Sequence, residues 1–163
     1  MVAATPPGAD AYAVLRLRID AALAARDRPE AVRIALSAVH DSATGILDLY
    51  DLVLTPLLIE TGAQWQTGAT SVWEEHLATT AVRTIVEALF PAVLEMAAAV
   101  PNADRTALLA CPPAENHDLG LRMLADRFIL SGWTVHLLGA DTPEAELIAA
   151  ARALKPDLVL LFS

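Results

Sequence analysis

The chain has 163 residues, 55% of them hydrophobic, enough to support a sizeable core. Its 11 Lys and Arg stand against 20 Asp and Glu, and a formal net charge of −9 argues against a nucleic-acid surface, since phosphate binding needs clustered cations. The single cysteine excludes an internal disulfide, no apolar stretch reads as long and uninterrupted enough to span a bilayer, and MVAATPPGAD has no signal-peptide pattern, so a cytoplasmic location is expected.

Residues 1–8 read as a flexible N-terminal segment. After it, Asp10 to Ala25, Pro29 to Val39, Gly45 to Thr61 and Val72 to Val100 show apolar residues at three- and four-residue spacing. Short breaks such as Asp27-Arg28-Pro29 and Thr67-Gly68 separate them. Four helices joined by short loops predict an antiparallel bundle over 9–100. Pro56 and Pro91 fall inside helical patterns and should kink or divide those helices. Ser71-Val72-Trp73-Glu74 matches a capping box, which puts Glu75 and His76 in the first turn of the fourth helix and Trp65 near the end of the third.

Residues 101–105 read as a linker, and the pattern then changes. Thr106 to Pro113 is an apolar run ending in prolines, Asp118 to Ile129 has helical spacing, and Trp133 to Ala140 looks like a second strand. In Asp141-Thr142-Pro143-Glu144 a cap-like polar residue stands close to a proline, ahead of a helix over Glu144 to Leu154. Lys155-Pro156-Asp157 breaks it, and Leu158 to Phe162 is a near-continuous apolar strand. The order β-α-β-α-β predicts the first part of a Rossmann-like, flavodoxin-type parallel sheet over 106–163. Glu115-Asn116-His117-Asp118-Leu119-Gly120 then occupies a strand-to-helix loop, where open α/β sheets bind ligands.

With that loop, the stretch from Thr106 onward resembles the cobalamin-binding domain of methionine synthase, mutases and corrinoid proteins. The resemblance implies that His117 is the lower cobalt ligand and Glu115 its hydrogen-bonded partner, with Asp118, Gly120 and Ser163 also at the cofactor. The chemistry is apt, because an imidazole suits a mid-row metal and a carboxylate on its far nitrogen fixes the tautomer. The family more often has Asp at the position of Glu115. The spacing W-x9-E-H from Trp65 to Glu75-His76 is similar to that of CarH-type cobalamin-dependent photoreceptors, whose helical bundle covers the upper face of adenosylcobalamin. Trp65 would then cap the adenosyl group, Glu75 would hydrogen-bond it, and His76 would be available to bind cobalt from above once the group has left. Taken singly, Trp65 also reads as an interhelical core aromatic and His76 as a partly solvated residue. Trp73 is assigned to core or interface, His136 to packing within a strand, His40 to a helix end, and Cys111 to a buried inert thiol.

The function so implied is a light sensor, not an enzyme, in which photolysis of the cobalt–carbon bond changes the domain arrangement, the oligomer or the binding of a separate signalling partner. The alternative is a corrinoid carrier of a methyltransferase system. CarH-type repressors carry an N-terminal DNA-binding domain that this sequence does not include, so direct DNA binding is not expected. In the cobalamin-binding fold further strands come after the position of Ser163, so a fragment of a longer protein is expected, the alternative being a shortened sheet whose exposed edge another subunit covers. A photocobilin-like pairing with a bilin is a further extension, for which no residue here identifies a pocket.

Overall fold

The computed structural model describes residues 8–41 and 44–163, so the expected N-terminal segment, Gly8 apart, lies outside the described residues. Two compact units follow each other along the chain, Met1–Leu89 and Phe90–Ser163. The sequence puts their division at the 101–105 linker. That segment joins the end of the last long helix at Ala97 to the first strand at Thr106, and the two compact units part earlier, inside that helix.

The helical unit begins with α1 (Ala9–Ala24) and α2 (Arg28–His40). Arg26, at φ 59°, reverses the chain between them. Arg26 N–H bonds Leu23 O and Asp27 N–H bonds Ala22 O, closing α1 with the left-handed pattern that glycine usually provides. Asp27 then caps α2, its carboxylate accepting from Glu30 N–H at 3.0 Å, with Pro29 in the first turn.

The third predicted helix is one rod with a widened middle: α3 (Ile46–Leu49), a π-helical turn (Tyr50–Leu54) and α4 (Thr55–Gln66). Pro56 is the cause we assign. It cannot donate to the carbonyl of Leu52 and its ring would crowd that oxygen. The turn before it opens, so that Thr55 N–H reaches Tyr50 O, and the rod is not divided.

The fourth rod, α5 (Val72–Ala97), also runs unbroken through Pro91. Contrary to the sequence expectation, α5 is by length and composition apolar enough to cross a membrane, with one third of its most apolar window buried. Its buried residues Ala81, Val82, Ile85, Val86, Leu89 and Val93 recur at three- and four-residue spacing, the pattern of a helix with one face against a core.

The second unit holds β1 (Thr106–Ala110), α6 (Leu119–Leu130), β2 (Thr134–Gly139), α7 (Glu144–Leu154) and β3 (Leu158–Leu161). All three strands are parallel, in the order β2-β1-β3. The central strand is the one hidden on both faces, with Ala107, Leu108, Leu109 and Ala110 fully buried, which explains its unalternating apolar sequence. Leu121 and Ala125 of α6 pack on Ala107, Leu109 and Cys111, and Phe128 meets Trp133 edge to face at 5.2 Å. The β1–β2 register slips between Leu109 and Ala110, so that Ala110 pairs with Gly139 rather than Leu138. A bulge of this kind re-aims the chain where strands end.

Candidate functional site

His117 sits beyond the carboxyl end of β1, on the segment that joins it to α6. Glu115 N–H bonds Pro112 O at 3.1 Å and starts a tight turn. The Glu115 side chain then folds forward. Its Oε1 accepts from His117 N–H at 2.8 Å and lies 2.6 Å from His117 Nδ1. These contacts, the backbone one first, hold the Glu115 carboxyl below the usual glutamate range, so it is ionised at neutral pH. With Nδ1–H donating to that carboxylate, Nε2 bears the lone pair. The His117 side chain is 94% exposed and Glu115 only 24%, so the carboxylate is set back and the imidazole is presented outward.

A second loop supports the first. Asp141, at φ 45°, donates its N–H to Glu115 O at 2.9 Å and accepts from Ala114 N–H at 2.7 Å through Oδ1. Thr142 N–H bonds Cys111 O, and Cys111 N–H bonds Gly139 O. Ala114 itself is at φ 68°, a conformation costing an alanine about 1–3 kcal/mol and sustained only where neighbours impose it. The sequence reads a cap-like polar residue in Asp141-Thr142-Pro143-Glu144, but the N-cap of α7 is Pro143, with no side-chain cap bond. The carboxylate of Asp141 serves a loop 27 residues away instead.

Gly120 follows in the first turn of α6. A Cβ there would lie 2.6 Å from the Phe162 ring, so close packing is one reason for glycine at this position. Asp118 is the N-cap residue of α6. Phe162 N–H bonds Ala110 O, which sets the residue before Ser163 beside the end of β1. Cys111 is fully buried, and burial pushes its thiol pKa up, as expected of an inert thiol.

In the helical unit, Glu75 and His76 stand in the opening turns of α5. Half of the predicted capping box forms as drawn, with Ser71 N–H donating to the Glu74 carboxylate at 3.1 Å. Ser71 Oγ donates to the same carboxylate at 2.6 Å rather than accepting from the helix. Glu75 Oε2 lies 2.5 Å from His76 Nδ1, and Glu75 Oε1 accepts from Thr79 Oγ1 at 2.6 Å. The His76 side chain is 73% exposed against 22% for Glu75.

Trp65, one short connection earlier, is 47% exposed and so is not a core aromatic. Trp73 is 53% exposed rather than packed inside, with the Arg26 guanidinium 5.1 Å from its ring centroid. Arg26 also reaches Glu74 at 3.7 Å. Sequence reading missed Arg26, Thr79 and Asp141. Only Thr79, one helical turn after Glu75, had a local signal. A cavity of about 280 Å³ in this unit is lined by Arg26, Gln64 and Glu74 among others, and Trp65, Glu75 and His76 do not border it.

Each unit therefore offers one exposed imidazole with its Nδ1 on a carboxylate. Among the described residues no group of three or more His, Cys, Asp or Glu is placed to hold a metal ion. His117 suits a metal that arrives with most of its ligands already supplied, and the residues present fit a corrin on that ground.

Residues 15–90 match one family model described as a B12 binding domain, and residues 105–163 match a second with the same description. HTH-type transcriptional repressor CarA of Myxococcus xanthus is 35% identical over 153 residues, covering 83% of this chain and 50% of CarA. HTH-type transcriptional repressor CarH of the same organism is 38% identical over 113 residues, covering 69% of this chain and 36% of CarH. The chain spans half or less of the length of these curated relatives. Among solved structures, the Methanosarcina barkeri monomethylamine corrinoid protein aligns with a TM-score of 0.75 at 15% identity, over 91% of this chain and 68% of that one, a likeness of fold.

Proposed function

This chain belongs to the B12 binding domain family, and from that premise we propose that it is a light sensor holding adenosylcobalamin. His117 would hold the cobalt through Nε2, with Glu115 on its Nδ1. Trp65 covers the adenosyl group, and Glu75 hydrogen-bonds it. Asp118, Gly120 and Ser163 border the cofactor at the carboxyl ends of the strands. Adenosylcobalamin, when bound, supplies a cobalt–carbon bond that visible light cleaves. His76 would be available to hold the cobalt through Nε2 once the adenosyl group is lost, and the helical unit would move with it. Such a movement gives the two arrangements that signalling requires.

The observation that carries this reading is the matched pair of Glu–His contacts, one per unit, each leaving a solvent-facing imidazole. A corrinoid carrier shares His117 but must exchange a methyl group at the upper face, where a tryptophan cap would obstruct its partner enzymes. The output passes through an oligomer or a separate protein. The bilin extension has no residue behind it and is not part of the proposal.

The test is the chain reconstituted with adenosylcobalamin in the dark and then illuminated. Both the visible spectrum and the hydrodynamic size or partner affinity should change. His76→Ala should leave bond cleavage intact and abolish the stable photoproduct. A chain that loads the cofactor yet keeps the same size, partner binding and domain arrangement in dark and light overturns the sensor in favour of the carrier.

A further inference from the structure

The segment from Pro112 to His117 has neither helix nor sheet to fix it, yet it must aim one imidazole. Its peptide groups are held from outside. Asp141 grips the Ala114–Glu115 dipeptide at both ends, its carboxylate taking the Ala114 N–H at 2.7 Å and its own N–H reaching Glu115 O at 2.9 Å. A single residue can offer donor and acceptor to the same dipeptide because its backbone is turned into the left-handed region, at φ 45°. Helix capping, the usual task of an aspartate just before a helix, does not compete here, since α7 has no side-chain cap bond.

We propose that Asp141 is the positioning residue for His117. Glu115 orients the ring; Asp141 orients Glu115. The carboxylate holds Ala114 at φ 68°, and that residue's conformation sets the direction in which Glu115 and His117 leave the strand. The last part of this inference rests on the reading of His117 as a cobalt ligand, whereas the clamp itself does not.

The variant of choice is Asp141→Gly, which removes the carboxylate while tolerating the left-handed backbone. Asp141→Asn keeps an acceptor oxygen and serves as the rescue. In the chain without cofactor, the Ala114 amide should exchange slowly for a loop amide. Exchange should quicken about two- to tenfold in Asp141→Gly and stay slow in Asp141→Asn. After loading with hydroxocobalamin, Asp141→Gly should weaken binding about tenfold and shift the spectrum from the histidine-ligated toward the water-ligated form. Asp141→Asn should keep the wild-type spectrum.

The clamp is overturned if wild-type Ala114 exchanges like an unbonded loop amide, or if Asp141→Gly matches wild type in exchange. The positioning role is overturned if exchange quickens while spectrum and affinity stay as in wild type. His117→Ala separates the two layers. If it leaves the wild-type spectrum unchanged, His117 is not the ligand and the positioning role falls with it, whereas the exchange comparison still decides the clamp.

Discussion

The two Glu–His pairs look alike in composition and differ in how they are held. Glu115 and His117 stand on a loop tied to another loop by bonds between residues 26 and more positions apart in sequence, above a strand buried on both faces. Glu75 and His76 are held by neighbours one and four residues away on their own helix. Bonds of the first kind require two distant loops to be folded together, whereas those of the second kind are local to one helix. On the proposed reading, His117 keeps one partner throughout and His76 is the one that changes.

The hardest blow to that contrast is Leu109→Ala, which hollows the core directly beneath the His117 loop. It should cost about 2–5 kcal/mol of stability, read from urea unfolding. Cobalamin binding should fall with it while the helical unit keeps its far-ultraviolet signal. Equal loss of order in both units would mean that they are not independently held.

Gly120→Ala tests the same foundation from the helix side. Its Cβ would meet the Phe162 ring at 2.6 Å, so the start of α6 or the ring must shift, at a cost of about 1–3 kcal/mol. Phe162→Ala in the same chain should recover much of that loss, and simple additivity of the two changes would refute close packing as a reason for glycine.

A gentler comparison sets Glu115→Gln beside Glu75→Gln. The first should weaken binding of both hydroxo- and adenosylcobalamin about tenfold, because His117, the proposed lower ligand, loses its carboxylate. The second should affect only the adenosyl form. If each substitution changes both forms alike, the division of labour between the pairs is wrong.

The smallest expected effect is one of pH. The carboxyl of Glu115 is held below its ordinary value of 4.5 in the folded chain, so the contacts contribute stability above that value. As pH falls below it, through the folded value, the contribution is lost. Between about pH 6 and about pH 3.5, wild type should lose more stability than Glu115→Gln, measured by urea midpoints.

The sheet unit was largely legible in the sequence, because buried parallel strands and the breakers between them, such as Lys155-Pro156-Asp157, are local signals. The apolar periodicity of the four rods was equally plain. What local pattern could not convey was where a side chain spends its hydrogen bonds. Asp141 has the composition of a cap and serves a distant loop. Trp73 reads as core or interface, and it lies exposed under a guanidinium supplied by a turn nearly fifty positions earlier. Pro56 announced a disturbance, but whether the rod would break or widen depended on Tyr50, Val53 and Leu54 being buried together, which kept the chain helical.

Arg26 has a use beyond structure. Its guanidinium rests on the face of Trp73 and also reaches Glu74, so the turn after α1 touches α5 just ahead of Glu75 and His76. The emission of an indole shifts when a cation leaves its face. The protein therefore carries an intrinsic fluorophore on the turn where the proposed light response begins, readable without a label as the part of the emission change that Trp73→Phe removes.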